Sequence, residues 1–205
     1  MTNYWSFNGN VNDTIGNANL YGGVNVSLIS DRFGRSNSAL SLQSGYYRVP
    51  AGVYFNGTQL TIMAWVKVKN HQINSRLIDF GNGPWKENIV LTLSTGTNGK
   101  PYLFLQSGID HFAHSSTISL NLNKWHHLSC TFSFPFYSIY IDGFETTMPG
   151  SKTTFLYFNL KNVVRIYNFI GRSNWNERNV DVIILIVSEI KKKRNQFDIN
   201  ILLFT

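Results

Sequence analysis

The fold of this chain is decided by the stretch Lys124-Trp125-His126-His127-Leu128-Ser129-Cys130-Thr131-Phe132, which continues after Pro135 as Tyr137-Ser138-Ile139-Tyr140-Ile141-Asp142-Gly143. Apolar and polar residues alternate in both halves, and this period predicts two half-buried β-strands. A short turn around Pro135 separates the strands. The second strand ends at Asp142-Gly143, a pair that readily adopts the positive φ of a tight hairpin turn. The stretch therefore predicts antiparallel β-structure.

The composition agrees with β-structure along the whole chain. Of the 205 residues, 43% are hydrophobic, 15% are aromatic and 14% are charged, whereas about 25% charged residues is usual in globular proteins. Short strand-like segments recur, turn-forming pairs separate them, and no window combines a helical apolar stripe with caps at both ends. The predicted strands include Tyr4–Phe7, Ala39–Leu42, Tyr46–Val49 and Val182–Val187. We expect one all-β domain over residues 1–190, an antiparallel β-sandwich or jelly roll. Residues 191–205 form a basic and then apolar tail, expected to be disordered or foreign to the domain.

One strand is predicted in detail. Within Leu60–Lys69 the alternate residues from Leu60 to Val68 are all apolar and are expected to face the core, while Met63 and Trp65 lie on the opposite, partly covered face. By the same alternation Cys130 is expected to be a buried free thiol. The tryptophans Trp5, Trp65 and Trp125 are interpreted as structural.

Motifs along the chain resemble the laminin G-like branch of the concanavalin A-like lectin/glucanase superfamily. They are the aromatic opening with an Asn-Asp turn at Tyr4–Asp13, the strand Leu60–Lys69, the Lys-Trp-His-His motif at Lys124 and the Tyr-Ile-Asp-Gly motif at Tyr140. The resemblance implies a concanavalin A-like jelly roll. It also implies a binding module with a carbohydrate or a matrix or cell-surface protein as its partner. The match fails at Ile184–Ile190, where the acidic pair and the Arg usual in the family are missing.

The resemblance further implies a calcium ion at the rim of the sandwich. Calcium takes six to eight oxygen ligands, and Asp13 in the Asn-rich segment 10–16 is the best candidate ligand. Without a metal, Asn12 and Asp13 would form an Asx-type turn. Asp79 and Asn82 are a second possible oxygen cluster that turn chemistry explains equally well.

Carbohydrate recognition needs an exposed aromatic ring and polar side chains that reach the sugar hydroxyls. Trp85 follows Gly83-Pro84 in a predicted loop, and Trp175 lies in a second loop among polar neighbours. The predicted ligand-binding residues are Trp85, Arg172, Asn174, Trp175 and Asn176. Loop tryptophans also serve as lids over a sandwich core, so both interpretations stay open.

An enzyme is not expected. Glycoside hydrolysis normally uses two carboxylates, and glucanases with this architecture carry them at alternate positions of one strand. The glutamates are Glu87, Glu145, Glu177 and Glu189, and none has another acid two residues away on a strand. A Gly-x-Ser-x-Gly elbow is missing too. The alternatives to carbohydrate binding are a protein adhesion or spacer domain and, less favoured, a glycoside hydrolase on the same fold.

Charge and hydropathy limit the other partners. Of the net charge of +7, the tail contributes +3 (Lys191–Arg194 against Asp198) and the rest of the chain +4. The only dense basic run lies beside the C-terminus, and without a basic stripe nucleic-acid binding is not expected. The apolar run Val182–Val187 is far shorter than the ~20 residues that cross a bilayer.

Three glycosylation sequons begin at Asn12, Asn25 and Asn56. The sequons are compatible with secretion, and we expect an extracellular or secreted location. Because domain sequence starts almost at Met1, we expect the chain to be one domain of a longer protein or the product of an incomplete gene model.

Overall fold

The computed structural model describes residues 2–147 and 158–175 and the backbone of two short strands near the C-terminus. These residues form β-strands and contain no α-helix. The strands are β1 (Tyr21–Ile29), β2 (Ala39–Val49), β3 (Gln59–Lys67), β4 (Ser75–Gly81), β5 (Ile89–Ser94), β6 (Tyr102–Ser107), β7 (Asp110–Ser115), β8 (Trp125–Ser133), β9 (Phe136–Ile141), β10 (Phe144–Glu145), β11 (Tyr167–Ile170), β12 (Ile186–Val187) and β13 (Leu203–Phe204).

Two antiparallel sheets form the sandwich that the sequence predicts. One has the order β1-β2-β11-β4-β5-β6-β7, with β12 added against β2, and the other has the order β10-β9-β8-β3-β13. The stretch from Lys124 to Asp142 forms β8 and β9. These strands are antiparallel, and their register runs from Leu128 opposite Ile141 to Ser133 opposite Phe136. Asp142 and Gly143 have φ values of 54° and 84° and turn the chain into β10. The fold is a concanavalin A-like jelly roll.

The core lies between the two sheets, as the alternation in β3 predicts. Leu60, Ile62, Ala64 and Val66 are buried in one cluster with the inward side chains of the opposite sheet. Cys130 is also buried there, and its burial raises the pKa of the thiol. A buried thiol of raised pKa carries little reactive thiolate, which fits the structural role expected for it.

The opposite face of β3 is covered in part, again as predicted. The Arg32 guanidinium carbon lies 4.0 Å from the Trp65 ring centroid, and the His127 ring lies 5.4 Å from it. His127 pairs with Trp65 and His126 with Val66, so the adjacent histidines face opposite sides of the sheet. Cation–π and ring contacts thus cover part of a large aromatic side chain outside the main core.

Several strand boundaries differ from the expectation. Tyr4–Phe7 makes only an isolated bridge between Trp5 and Asp13. The two predicted strands Ala39–Leu42 and Tyr46–Val49 are one continuous strand with a bulge. The strand β7 was not predicted, because its sequence is polar and it lies at the sheet edge, where little of it is buried.

Trp125 is not in the main core. It is half-buried on the outer face of β8, where it packs against a small cluster formed around Ala39 with Trp65. Its role is structural, as expected, but most of its contacts are peripheral. Trp5, by contrast, is fully buried and donates a hydrogen bond from Nε1 to the Ala18 carbonyl at 2.8 Å.

Of the expected C-terminal tail, only Leu203–Phe204 is described, and it pairs with β3. Most of the predicted strand Val182–Val187 lies outside the described residues, apart from Ile186–Val187. Within the described part of the chain, no helix is long and apolar enough to cross a membrane.

Candidate ligand-binding groove

A groove lies on the outer face of the eight-stranded sheet. In β6 the residues Leu103 and Leu105 point into the core, so Tyr102 and Phe104 point outward. The groove has a volume of about 460 Å³. It is lined by Asn74, Arg76, Trp85, Val90, Thr95, Tyr102, Phe104, Ser115 and Trp175. Its walls are therefore aromatic, with polar groups between them, which is the usual make-up of a small-molecule site.

The two predicted loop tryptophans meet in this groove. Their ring centroids are 5.7 Å apart and the rings are nearly perpendicular, at 89°. Phe104 lies edge-on to both, at 5.7 Å from Trp85 and 6.1 Å from Trp175. Trp85 remains 58% exposed. Neither tryptophan closes over the sandwich core, and both present ring surface to the groove.

The loop that carries Trp85 is held in a conformation that costs energy. Trp85 and Glu87 have φ values of 59° and 57°, in a region that non-glycine residues rarely adopt. Gln106 Nε2 donates to the Trp85 carbonyl at 2.7 Å, and the Glu87 carboxylate accepts from Gly108 N at 2.9 Å and Lys161 Nζ at 3.1 Å. Backbone strain that neighbours hold in place is frequent at ligand sites.

Arg165 stabilises the Trp85 loop through buried hydrogen bonds. It is fully buried, its Nε donates to the Glu87 carbonyl at 2.8 Å, and its Nη1 donates to the Phe55 carbonyl at 3.0 Å. Burial lowers the pKa of its guanidinium to about 10, which leaves it charged at neutral pH. A buried cation that binds two backbone carbonyls ties the Trp85 loop to the segment before β3.

Trp175 is positioned by a buried carboxylate on β4. Asp79 accepts hydrogen bonds from Asn174 N and from Asn174 Nδ2, both at 2.8 Å. Burial raises the pKa of the Asp79 carboxyl to about 6, although the Asn174 bonds and the nearby Arg76 act in the other direction. Arg76 Nε is 3.7 Å from Asp79 Oδ2, and the Arg76 guanidinium carbon is 5.4 Å from the Trp175 ring.

A second cleft lies on the other side of Trp175. Its volume is about 280 Å³, and its lining is Gly83, Pro84, Tyr167, Phe169, Arg172, Ser173, Asn174 and Trp175. The Arg172 guanidinium carbon lies 4.8 Å from the Tyr46 ring centroid and 4.9 Å from the Phe169 ring centroid. Trp175 is therefore a shared wall between two adjoining clefts.

The structure brings four of the five predicted ligand-binding residues to these two clefts. Trp85 lines the first, Arg172 and Asn174 line the second, and Trp175 lines both. The Asn174 side-chain nitrogen is engaged with Asp79 and with the Tyr167 carbonyl, so this residue positions the loop. Asn176 lies outside the described residues.

Sequence reasoning missed Arg76, Tyr102 and Phe104. The aromatic pair could have been found, since Tyr102 and Phe104 alternate with the core leucines of β6 and so belong to the solvent side. Arg76 gave no such signal. Its place in the groove follows from an irregularity in the pairing of β4 with β5.

The surroundings of Asp13 do not fit a calcium ion. Its Oδ1 accepts from the backbone N–H groups of Tyr4, Ile15 and Gly16, and its Oδ2 accepts from Ala18 N and Asn3 Nδ2. Calcium needs oxygen atoms directed at it, whereas five N–H groups are directed at these two oxygens. These bonds lower the pKa of the carboxyl against the effect of its burial. Calcium binding stays a prediction that this geometry does not support.

The other oxygen cluster considered is also engaged within the fold. The Asn82 side chain donates to the Val164 carbonyl at 3.0 Å and accepts from Ile166 N at 2.9 Å. The Asp79 carboxylate accepts hydrogen bonds from Asn174. Among the residues that the structure describes, no group of three or more His, Cys, Asp or Glu side chains is arranged to hold a metal ion.

The chain belongs to the concanavalin A-like lectin/glucanases superfamily. A laminin G model of that superfamily matches residues 41–199, which is most of the chain. The fold, the order of motifs and the family match agree. No curated protein shows significant sequence similarity to the chain.

Solved structures share the fold at low identity. Domain 4 of AbnA, a GH43 extracellular arabinanase from Geobacillus stearothermophilus in complex with arabinotriose, is 18% identical with a TM-score of 0.65, covering 90% of this chain and 89% of that domain. Trypanosoma rangeli sialidase in complex with 2,3-difluorosialic acid is 17% identical with a TM-score of 0.60. That match covers 98% of this chain and 30% of the sialidase chain, so it concerns one part of the sialidase.

Proposed function

We propose that this chain is a non-catalytic carbohydrate-binding module of an extracellular protein and that its ligand binds in the groove between Trp85 and Trp175. The observation that carries the proposal is the meeting of these two tryptophans, from distant loops, in one groove with Tyr102 and Arg76. Flat aromatic surface suits the apolar face of a sugar ring, and the polar groups between the rings suit its hydroxyls.

Two further features support a module without catalysis. In the part of the chain that the structure describes, the residues that line the two clefts include no Asp or Glu, whereas glycoside hydrolysis normally uses a pair of carboxylates beside the scissile bond. Asp79, behind the groove, is fully buried and engaged by Asn174. The domain of the arabinanase that shares the fold was solved with arabinotriose bound, which makes a sugar the first ligand to test.

An extracellular location is part of the proposal. The asparagines of the three sequons, Asn12, Asn25 and Asn56, are all exposed, so a glycosylation machinery could reach them. The first alternative is that the groove binds a protein of a matrix or a cell surface. The second alternative is a spacer domain that binds no ligand.

The test is a glycan array on the full chain expressed through a secretory route, run with calcium and with a chelator. Hits are then measured by calorimetry on the wild type and on Trp85→Ala, Trp175→Ala and Trp125→Ala. We expect the first two substitutions to weaken binding at least about tenfold, as loss of a central aromatic contact does. Trp125→Ala, on the opposite sheet, is the matched control and should leave the affinity unchanged.

Selective glycan binding that survives Trp85→Ala and Trp175→Ala would place the site elsewhere. A blank array under both conditions would reject carbohydrate binding in favour of adhesion or spacing. Binding that disappears with the chelator would show that a cation takes part.

A further inference from the structure

We infer that the second cleft is a subsite for an acidic sugar unit and that Arg172 is the residue that contacts its anionic group. This inference rests on the proposed function and specifies its ligand class: an oligosaccharide that carries a carboxylate or a sulfate next to a unit stacked in the main groove.

The charge of Arg172 is not neutralised within the described part of the chain. No described carboxylate forms an ion pair with it, and its contacts are with two aromatic faces, Tyr46 and Phe169. Contacts with ring faces use none of the hydrogen-bond donors of a guanidinium, so its N–H groups remain able to donate to a ligand. A planar guanidinium with free edge N–H groups is the arrangement that binds carboxylate and sulfate oxygens in pairs.

The two rings also hold the guanidinium in place. Tyr46 and Phe169 are themselves buried and lie edge to face, with centroids 5.9 Å apart. A side chain that is already fixed loses little conformational entropy when a ligand binds. The site is thus prepared for an anion before the ligand arrives.

The position of the cleft fits two neighbouring sugar units. Trp175 lines both clefts, so a ligand stacked against one side of its ring can extend past it to Arg172. Among the described residues, those that line the second cleft include no Asp or Glu that would repel an anion. The Asp79 carboxylate, which lies behind Asn174, is fully buried and accepts two hydrogen bonds from it.

Arg48 offers a matched control. Its guanidinium carbon lies 5.8 Å from the same Phe169 ring, yet Arg48 is exposed and lines neither cleft. Replacing it by Gln removes the same charge from the same neighbourhood. A general electrostatic attraction would respond equally to both substitutions, whereas a subsite would respond to Arg172 alone.

The test compares acidic oligosaccharides with their neutral counterparts by calorimetry on the full chain. One pair is trigalacturonate and its methyl ester, in which each carboxylate is converted to a neutral ester, and a second pair is a sulfated oligosaccharide and its desulfated form. Each pair is titrated into the wild type, Arg172→Gln, Arg172→Lys and Arg48→Gln. The two pairs separate carboxylate from sulfate as the source of the anion.

We expect the wild type to bind the acidic member of at least one pair about tenfold or more tightly than the neutral member. Arg172→Gln should remove that preference while keeping the affinity for the neutral member. Arg172→Lys should restore only part of it, and Arg48→Gln should retain it. Circular dichroism spectra and melting temperatures confirm that each variant is folded.

Equal affinity for acidic and neutral members overturns the inference and leaves the proposed function in place, as does an acidic preference that survives Arg172→Gln. An acidic preference lost equally in Arg48→Gln also overturns it, because the cause would then be general attraction. No binding of any glycan rejects the proposed function itself.

Discussion

The Asp79 carboxyl makes the stability of the wild type depend on pH. Burial raises its folded-state pKa from the ordinary value of 3.8 to about 6, so between these values the folded state binds more protons than the unfolded state. Stability from this group is therefore present in acid and is lost as the pH rises from about 4 to about 6. We expect the free energy of unfolding of the wild type, relative to Asp79→Asn, to fall by about 2 to 3 kcal/mol over this window.

Urea unfolding of both proteins at several pH values between 4 and 7 measures this difference, and comparison of the two removes the effect of the other titrating groups. A difference that stays constant, or that grows with pH, would show that Asp79 is ionised throughout. The fall should level off at about pH 7, where Asp79 is largely ionised in both states.

Asp13 stabilises the N-terminal turn through backbone bonds and without need of a metal. Asp13→Asn places an amide nitrogen among N–H donors, so at least one donor loses its acceptor. We expect a loss of about 1 to 3 kcal/mol in the free energy of unfolding. The loss should be the same in millimolar calcium and in chelator, and a larger loss in calcium would assign a metal to this carboxylate.

Two structural tryptophans differ in the depth of their contacts. Trp5 is fully buried with a satisfied indole N–H, so Trp5→Ala should cost about 3 to 5 kcal/mol, as large core deletions do. Trp125 is half-buried on an outer face, so Trp125→Ala should cost about 1 to 2 kcal/mol because less area returns to water. Chemical unfolding of both variants checks the order, and equal costs would contradict it.

The Trp85 loop is the element on which the groove depends, and Arg165 is its main support. Arg165→Met leaves the carbonyls of Glu87 and Phe55 without their donor, which should cost about 2 to 4 kcal/mol. The freed loop should also weaken glycan binding, since the strained backbone at Trp85 would relax. Unfolding and calorimetry measure the two effects.

Lys161→Met is the control for that experiment. Its ammonium also reaches the loop, through the Glu87 carboxylate at 3.1 Å, but its side chain is 54% exposed. An exposed ion pair contributes at most about 1 kcal/mol. Equal losses in the two variants would mean that the loop is held by charge alone and not by the buried hydrogen bonds of Arg165.

The sequence predicted these elements unevenly, for physical reasons. Strands with one apolar face, such as β3 and β8, are visible in a period of two because one side is buried and the other is not. The strand β7 is polar and lies at the sheet edge, so its sequence carries no such period. Trp85 and Trp175 were selected as loop residues, but their meeting depends on Asp79 and Arg165, which act across long sequence separations that no local pattern contains.

The whole molecule separates binding and structural aromatic residues onto two outer faces, with the sandwich core between them. Packed sheets lie about 10 Å apart, and substitutions at well-separated sites without shared partners act independently. Trp125→Ala should therefore lower the melting temperature and keep the increase that a saturating glycan produces. Trp85→Ala and Trp175→Ala should keep the melting temperature of the free protein and lose the increase that the glycan produces. At a ligand concentration of 100 times Kd, the stabilisation by the glycan corresponds to about 2.7 kcal/mol in the wild type.

Thermal unfolding of the wild type and the three variants, with and without the best array ligand, measures these effects. A ligand effect lost in Trp125→Ala would show that the two faces are coupled through the core, and one kept in both groove variants would move the site away from Trp85 and Trp175.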